Sequence, residues 1–304
     1  MSQPRHREPL PFGGAGGPPY SKGLMARALI AVGVPAESAY ELARHAERDL
    51  ATRPDQPLDL HRLHDLAVET LGESEGAAAI VRLRRYRELQ ELDLPIILLV
   101  GGTTGTGKST VATDAAYRLG IARVTSTDFI RQTMRAFFSH EFMPSIHYSS
   151  FEAGLGLAAA GHEAEDLVLQ GFLDQTRNVL VGVRAAVDRA LHEGWSMVLE
   201  GVHLVPGMLE IPHEDALVVE CVLAIDDKQT HASHFFIRDT ATDGVRPMSK
   251  YLDHLPEIRR IQRYVVERAE RNGVPVLQSG GIEQTSMALL ELVFDRVASL
   301  ETAV

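Results

Sequence analysis

Eight consecutive residues carry the strongest chemical signal in the chain. Gly102-Thr103-Thr104-Gly105-Thr106-Gly107-Lys108-Ser109 fits the spacing Gly-x-x-x-x-Gly-Lys-Ser/Thr of a phosphate-binding loop. Glycines let backbone N–H groups turn inward around an anion where side chains would block them. A helix that begins at the end of such a loop adds partial positive charge. Lys108 is then placed to bridge the β- and γ-phosphates of a nucleotide, with Thr110 also at the phosphates, and the Ser109 hydroxyl to hold Mg²⁺.

A phosphate loop leaves the acceptor open, and the ends of the other strands are where ligands collect in such folds. Asp128 follows one candidate strand, with Arg131 and Arg135 four apart on the next helix. A carboxylate there orients a hydroxyl or takes its proton, and Arg131 grips an anionic group. The plain alternative is Asp128 as a helix cap beside solvated arginines. Glu200 ends another strand and suits a metal site or the acceptor, with His203 close behind. Arg238 and Arg246 fall in and after a helix that follows the fourth strand, with Arg259, Arg260 and Arg263 downstream. Cations so placed suit a lid over transferring phosphates. His61/His64 and His231/His234 are pairs at i, i+3 without Cys or carboxylate partners at metal spacing, and are read as non-ligands.

The elements that must position these residues change character along the chain. Residues 1–19 carry too many Gly and Pro to pack and read as a loose arm. Residues 20–93 hold apolar positions at helical spacing in four segments, from Ser21, 37–50, 58–71 and 77–92, with no strand signal. From residue 94 strands and helices alternate. The strands are predicted at 96–100, 123–126, 196–200, 216–225 and 275–278, with a long helix over 163–192. That grammar implies an α/β unit over 94–304, a parallel sheet covered on both faces and joined by right-handed crossovers.

Composition narrows the partners. The formal net charge is −11, and all of the excess lies in one part. Residues 1–90 hold 12 basic and 12 acidic side chains, residues 91–304 hold 18 and 29. A nucleic-acid binder working through bulk positive charge is excluded, and anion binding in the second part must rest on local donors. A single cysteine, Cys221, in an apolar run reads as a buried inert thiol. No apolar run approaches the roughly 20 residues of a membrane span, and no apolar leader precedes the helices, so a cytoplasmic protein is expected. The phosphate loop and the acceptor-side cations lead to a nucleotide and a small anionic substrate as expected partners, with no nucleic acid and no membrane; a homo-oligomer stays open.

Several segments, in order, resemble the 2-phosphoglycerate kinase family: Tyr20-Ser-Lys-Gly-Leu-Met-Ala-Arg27, Gly101 to Thr110, Thr127-Asp128 with Arg131, Ile146 to Ala153, Gly171-Phe172 with Gln175, Glu200-Gly-Val-His-Leu-Val-Pro-Gly207 and Ile258 to Gln262. The resemblance implies a P-loop fold of the nucleoside-monophosphate-kinase type, preceded by a small all-α module similar to an ATP-cone. It implies transfer of the γ-phosphoryl of ATP to 2-phosphoglycerate with Mg²⁺. Lys108, Asp128 and Arg238 would act at the transfer, Asp128, Arg131, Glu200, His203 and Arg246 at the substrate, and Ser109 and Glu200 at the metal. The lid departs from the family pattern His-x-x-Arg-Phe-x-x-Arg, since this chain has His231-Ala-Ser-His234-Phe235-Phe-Ile-Arg238. Kinases of other phosphorylated alcohols (mevalonate phosphate, inositol phosphate) and a nucleotide-sensing P-loop protein are the alternatives. The acceptor-side pairs Asp128/Arg131 and Glu200/His203 favour an enzyme over a sensor.

Overall fold

The computed structural model describes residues 20–53, 58–161, 165–212, 214–241 and 248–301. The arm predicted over residues 1–19 lies outside them. The chain divides into two compact units. The first comprises the chain up to Asp93 with Tyr117–Gly120 and the residues from Leu290 onward, and the second is the remainder.

Four helices build most of the first unit: α1 (Lys22–Ala31), α2 (Ala36–Thr52), α3 (Leu60–Leu71) and α4 (Glu73–Glu91). Ser21 caps α1 through its hydroxyl, and Asp59 caps α3 by accepting from the Arg62 amide at 2.8 Å. The helical spacing of Ala39, Leu42, Ala43 and Ala46 buries one face of α2. The fourth helix begins at Glu73, four residues earlier than the apolar pattern predicts. Gly72, at φ 86°, ends α3 and starts α4 in one residue. The first turn of α4 that follows is polar, and its Glu73 and Glu75 suit the positive end of a helix.

The second unit is a five-stranded, all-parallel sheet in the order β2-β3-β1-β4-β5. After residue 93 the elements are β1 (Ile96–Gly102), α5 (Lys108–Arg118), β2 (Val124–Ser126), α6 (Thr127–Phe137), a 3₁₀ turn (Pro144–His147), α7 (Ala153–Ala159), α8 (Leu167–His192), β3 (Met197–Glu200), β4 (Leu217–Ala224), α9 (Lys228–Ala241), α10 (Met248–Asp253), α11 (Leu255–Asn272), β5 (Val276–Gln278) and α12 (Ile282–Glu301), all in the second unit except the end of α5 from Tyr117 and α12 from Leu290 onward. All five predicted strands form within a residue or two of their expected bounds. The long helix starts at Leu167, where the Asp166 carboxylate accepts from the Leu169 amide at 3.1 Å.

β1 is central and buried at every position, which is why it reads as an unbroken apolar run. One core cluster joins Ile97 and Leu99 to Leu199 and to Val183 and Val187 of α8. Another packs Phe172 and Phe235 against Ile258, Ile261 and Val265 of α11. Burying each such side chain contributes about 1.5–3 kcal/mol. Cys221 on β4 is fully buried, and burial, with Glu220 adding to it, pushes its thiol up to about 12. Register then sets the site, because Val100 pairs with Glu200 and Glu200 with Ser126 at the carboxyl ends of adjacent strands. Among the described residues no helix is long and apolar enough to cross a membrane.

Candidate active site

The glycine-rich loop leaves β1 at Gly102 and enters α5 at Lys108. Its inner hydroxyls are buried. Thr106 donates to the Thr103 carbonyl at 3.0 Å, and the Lys108 ammonium donates to the same carbonyl at 3.0 Å, so the lysine lies across the loop. Thr103 is anchored from behind at 3.5 Å by Gln262 of α11, which also bonds both backbone groups of Ile225. On the other side α9 packs on the loop. His231 Nε2 donates to the Thr104 carbonyl at 2.8 Å and His234 Nδ1 to that of Gly105 at 2.9 Å. Gly105 sits at φ 91°, and a Cβ there would lie 2.5 Å from the Phe235 ring, so both backbone and space require glycine.

Ser109, in the first turn of α5, donates to Glu200 Oε1 at 3.0 Å. Glu200 is 7% exposed at the end of β3. A hydroxyl and a carboxylate facing each other at the mouth of a phosphate loop are hard oxygen donors, the set that suits Mg²⁺. Beside this pair a cavity of about 480 Å³ opens between α5 and β2. Its polar wall is Ser109, Thr125, Ser126 and Glu200, and its apolar edge is Val124 and Phe129.

Asp128 stands in the first turn of α6, but the cap is Ser126, whose Oγ accepts from the Phe129 amide at 3.0 Å. The Asp128 carboxylate is thus not spent on capping. Its side chain is 63% exposed and takes an Arg131 Nε hydrogen bond at 3.2 Å. Packing around it raises its pKa, but the imidazole of His203 and the cations Arg131 and Lys108, with the Arg131 hydrogen bond, outweigh that and hold it below the usual range. It is an ionised acceptor at neutral pH, suited to orienting a hydroxyl.

Arg131 is 9% exposed and does more than the sequence suggested. Its Nη1 donates to the carbonyls of Ile146 (2.8 Å) and Tyr148 (2.9 Å), so it builds the loop over residues 145–149. Gln175 of α8 does the same from the other side, reaching the carbonyls of Ser145 (2.6 Å) and Tyr148 (3.0 Å). His203, expected at the substrate, is fully buried with both ring nitrogens engaged. Because Gln175 Nε2 is committed as a donor, its Oε1 accepts from His203 Nε2–H at 3.0 Å. His203 Nδ1 is then the acceptor for the Thr127 hydroxyl at 2.7 Å. Such a histidine is neutral, and burial pushes it down to about 4. The turn after β3 can come this close only because Gly201, at φ 154°, has no Cβ to run into Thr127. His203 therefore links the turn after β3, the start of α6 and α8 rather than presenting itself to a ligand.

Of the expected lid cations, Arg238 lies in α9 one turn beyond His234 with its side chain outside the described residues, and Arg246 lies outside them altogether. Arg259 donates to the Ile225 and Asp226 carbonyls at the end of β4, and Arg260 pairs with Asp166 at 2.6 Å. Gln175, Gln262 and Thr127 were not singled out as site residues by spacing. Each is a buried polar side chain, and neutral amides and hydroxyls give no charge pattern to read. The His231/His234 spacing was visible, but the groups it meets are loop carbonyls, which no sequence pattern marks.

No protein-family model matches the chain. Curated proteins do. It is 35% identical over 270 residues to a 2-phosphoglycerate kinase of Methanopyrus kandleri, covering 88% of this chain and 81% of that protein. It is 35% identical over 272 residues to that of Thermococcus kodakarensis, covering 90% and 91%. It is 36% identical over 288 residues to that of Methanococcus maripaludis, covering 93% and 90%. With such likeness running through both the helical unit and the strands that carry the phosphate loop, Asp128 and Glu200, the chain belongs to the 2-phosphoglycerate kinase family.

Proposed function

We propose that the protein transfers the γ-phosphoryl group of ATP to the free hydroxyl of 2-phosphoglycerate, giving 2,3-bisphosphoglycerate and ADP. The observation that carries this reading is the Ser109–Glu200 pair at 3.0 Å, beside the phosphate loop and open to the cavity that Ser126 and Phe129 also line. The loop amides and Lys108 hold the nucleotide phosphates, and Ser109 and Glu200 are the residues that would hold Mg²⁺. Bound Mg²⁺ neutralises charge on the β- and γ-phosphates. Asp128 accepts a hydrogen bond from the acceptor hydroxyl and aims its oxygen at the γ-phosphorus. The new P–O bond forms as the bond from the γ-phosphorus to the β,γ-bridging oxygen breaks; that oxygen leaves with ADP, and the hydroxyl proton passes to the Asp128 carboxylate and on to solvent. Arg131 fixes the loop over 145–149 that borders the acceptor, with its Nη2 left for the acceptor's anionic groups, and Arg238 and Arg246 are assigned as the cations of the transfer. The four N-terminal helices are read as an ATP-cone-like module, its support being their all-helical build with apolar faces buried along α2 and α3.

The test is a coupled ADP-release assay with Mg²⁺, comparing 2-phosphoglycerate with 3-phosphoglycerate, mevalonate phosphate and inositol phosphates. Release stimulated by 2-phosphoglycerate well above the others, with 2,3-bisphosphoglycerate identified as product, is expected. No stimulation by any of them would return the reading to a nucleotide sensor.

A further inference from the structure

The two histidines on α9 meet the phosphate loop in a way that the transfer chemistry above does not use. A carbonyl oxygen only accepts, so His231 must carry its proton on Nε2, and His234 on Nδ1. The His231 ring is fully buried, and its Nδ1 has no hydrogen-bond partner among the described residues. A second proton on Nδ1 would therefore create a buried donor with nothing to receive it, in the field of Arg259, His234 and Lys108. Burial first, and then the neighbouring cations Arg259 and Lys108, hold the His231 pKa below its ordinary value despite the Thr104 hydrogen bond.

The helix that carries the pair is itself fixed. Phe235, fully buried, stacks on His231 with ring centroids 5.4 Å apart and on Tyr251 at 5.1 Å, and its ring closes on Gly105. The donors are thus rigid. In a planar trans peptide the carbonyl and the following N–H point in opposite directions. Anchoring the Thr104 carbonyl outward turns the Gly105 N–H inward, and anchoring that of Gly105 turns the Thr106 N–H inward. The Thr106 amide makes only a long 3.4 Å contact with the Thr103 carbonyl, which a phosphate oxygen can replace.

We propose that His231 and His234 are positioning residues for the nucleotide: imidazoles whose N–H groups clasp two loop carbonyls from outside, so that the amides of Gly105 and Thr106 face the phosphates. The inference rests on the reading of this loop as the nucleotide site, and it makes the two histidines unequal. One acts through its far nitrogen and the other through its near one.

That asymmetry supplies the experiment. The side-chain amide of glutamine reaches about as far as histidine Nε2, and that of asparagine about as far as Nδ1. In the full chain, His231→Gln and His234→Asn keep a donor at the right reach, while His231→Asn and His234→Gln keep the polarity but misplace it. The readouts are the Kd for Mg-ATP by titration calorimetry, KM for ATP and for 2-phosphoglycerate, and the melting temperature of each variant. The matched variants are expected to bind ATP within about twofold of wild type. The mismatched ones should bind on the order of fivefold more weakly per lost bond, with KM for the acceptor unchanged. His234 is only half-buried, so its pair of variants decides the matter if those at His231 fail to fold. Equal ATP affinity in matched and mismatched variants overturns the clasp. Lys108→Ala is run in parallel. If it loses ATP while every histidine variant binds as wild type does, the clasp alone fails. If Lys108→Ala binds ATP normally, the nucleotide site itself is misplaced and both readings fall.

Discussion

Two titratable groups, one buried and one half-buried, pull the stability of the second unit in opposite directions with pH, and separating them tests the His203 network. His203 has an ordinary pKa of 6.5, and burial lowers it to about 4 in the folded chain. The unfolded chain therefore takes up the proton first as pH falls. The contribution of His203 is fully present above pH 6.5 and is lost as pH drops through about 4. Glu220 on β4, in register with Leu99 and only partly exposed, is the mirror case, since burial raises it from 4.5 to about 7. Its ionised form is disfavoured in the fold, so stability is highest below 4.5 and is lost as pH rises through about 7. Between pH 7 and 5 the first effect removes about 2 kcal/mol, and the second returns about 2 kcal/mol or less, to the extent that water reaches the carboxyl. Wild type is thus expected to show a nearly flat dependence over this range, tilted slightly toward acid loss by His231, whose pKa burial also lowers. The variants should diverge. His203→Gln should grow more stable toward pH 5 and Glu220→Gln less stable, each by about 2 kcal/mol relative to wild type. The assay is a series of urea midpoints at fixed ionic strength. Parallel curves for the three proteins would refute the argument, because neither group would then differ between the folded and unfolded chains.

The loop glycines should rank by space. Gly105→Ala meets both a φ of 91° and the Phe235 ring at 2.5 Å, whereas Gly107→Ala meets a φ of 79° but only an ordinary 3.4 Å contact with Ser279. Melting curves should show Gly107→Ala losing about 1–2 kcal/mol and Gly105→Ala about 2–4 kcal/mol. Glu200→Gln should raise the Mg²⁺ concentration for half-maximal turnover at least about tenfold with little change in melting temperature; an unchanged Mg²⁺ titration would remove Glu200 from the metal site. Asp128→Asn should lower kcat by about 10²-fold or more while the Kd for ATP stays within about twofold, and equal loss in both would mean that the carboxylate acts through the loop instead. Arg131→Lys cannot hold the Ile146 and Tyr148 carbonyls and Asp128 together, so KM for the acceptor should rise without a matching rise for ATP.

The phosphate loop, the strands and their order of appearance were legible because each is a local pattern. Unbroken apolar runs mark strands buried on both faces, and the glycine spacing serves a backbone path of a few residues. The positions of Asp128 and Glu200 were legible for the same reason, since one opens the helix after β2 and the other ends β3. His203 misled because sequence shows a residue type but not what surrounds it, and only packing reveals a buried imidazole held by Gln175 and Thr127. The apolar pattern of α4 begins only after a polar first turn, so it marks the helix from residue 77, while Gly72 sets the boundary at Glu73.

By itself the sequence determined the chemistry available: a phosphate cradle, Lys108, a strand-end acid and a net charge of −11 that forces anion binding onto local donors. Tertiary structure decided which groups meet. Register laid Glu200 between Val100 and Ser126, the fold brought Ser109 within 3.0 Å of Glu200, and α9 set two histidines on the loop carbonyls. The physical reason is separation along the chain. Ser109 and Glu200 are 91 residues apart and Thr104 and His231 are 127 apart. Hydrogen bonds over such spans exist only once the core has closed the intervening loops, and no local preference encodes them.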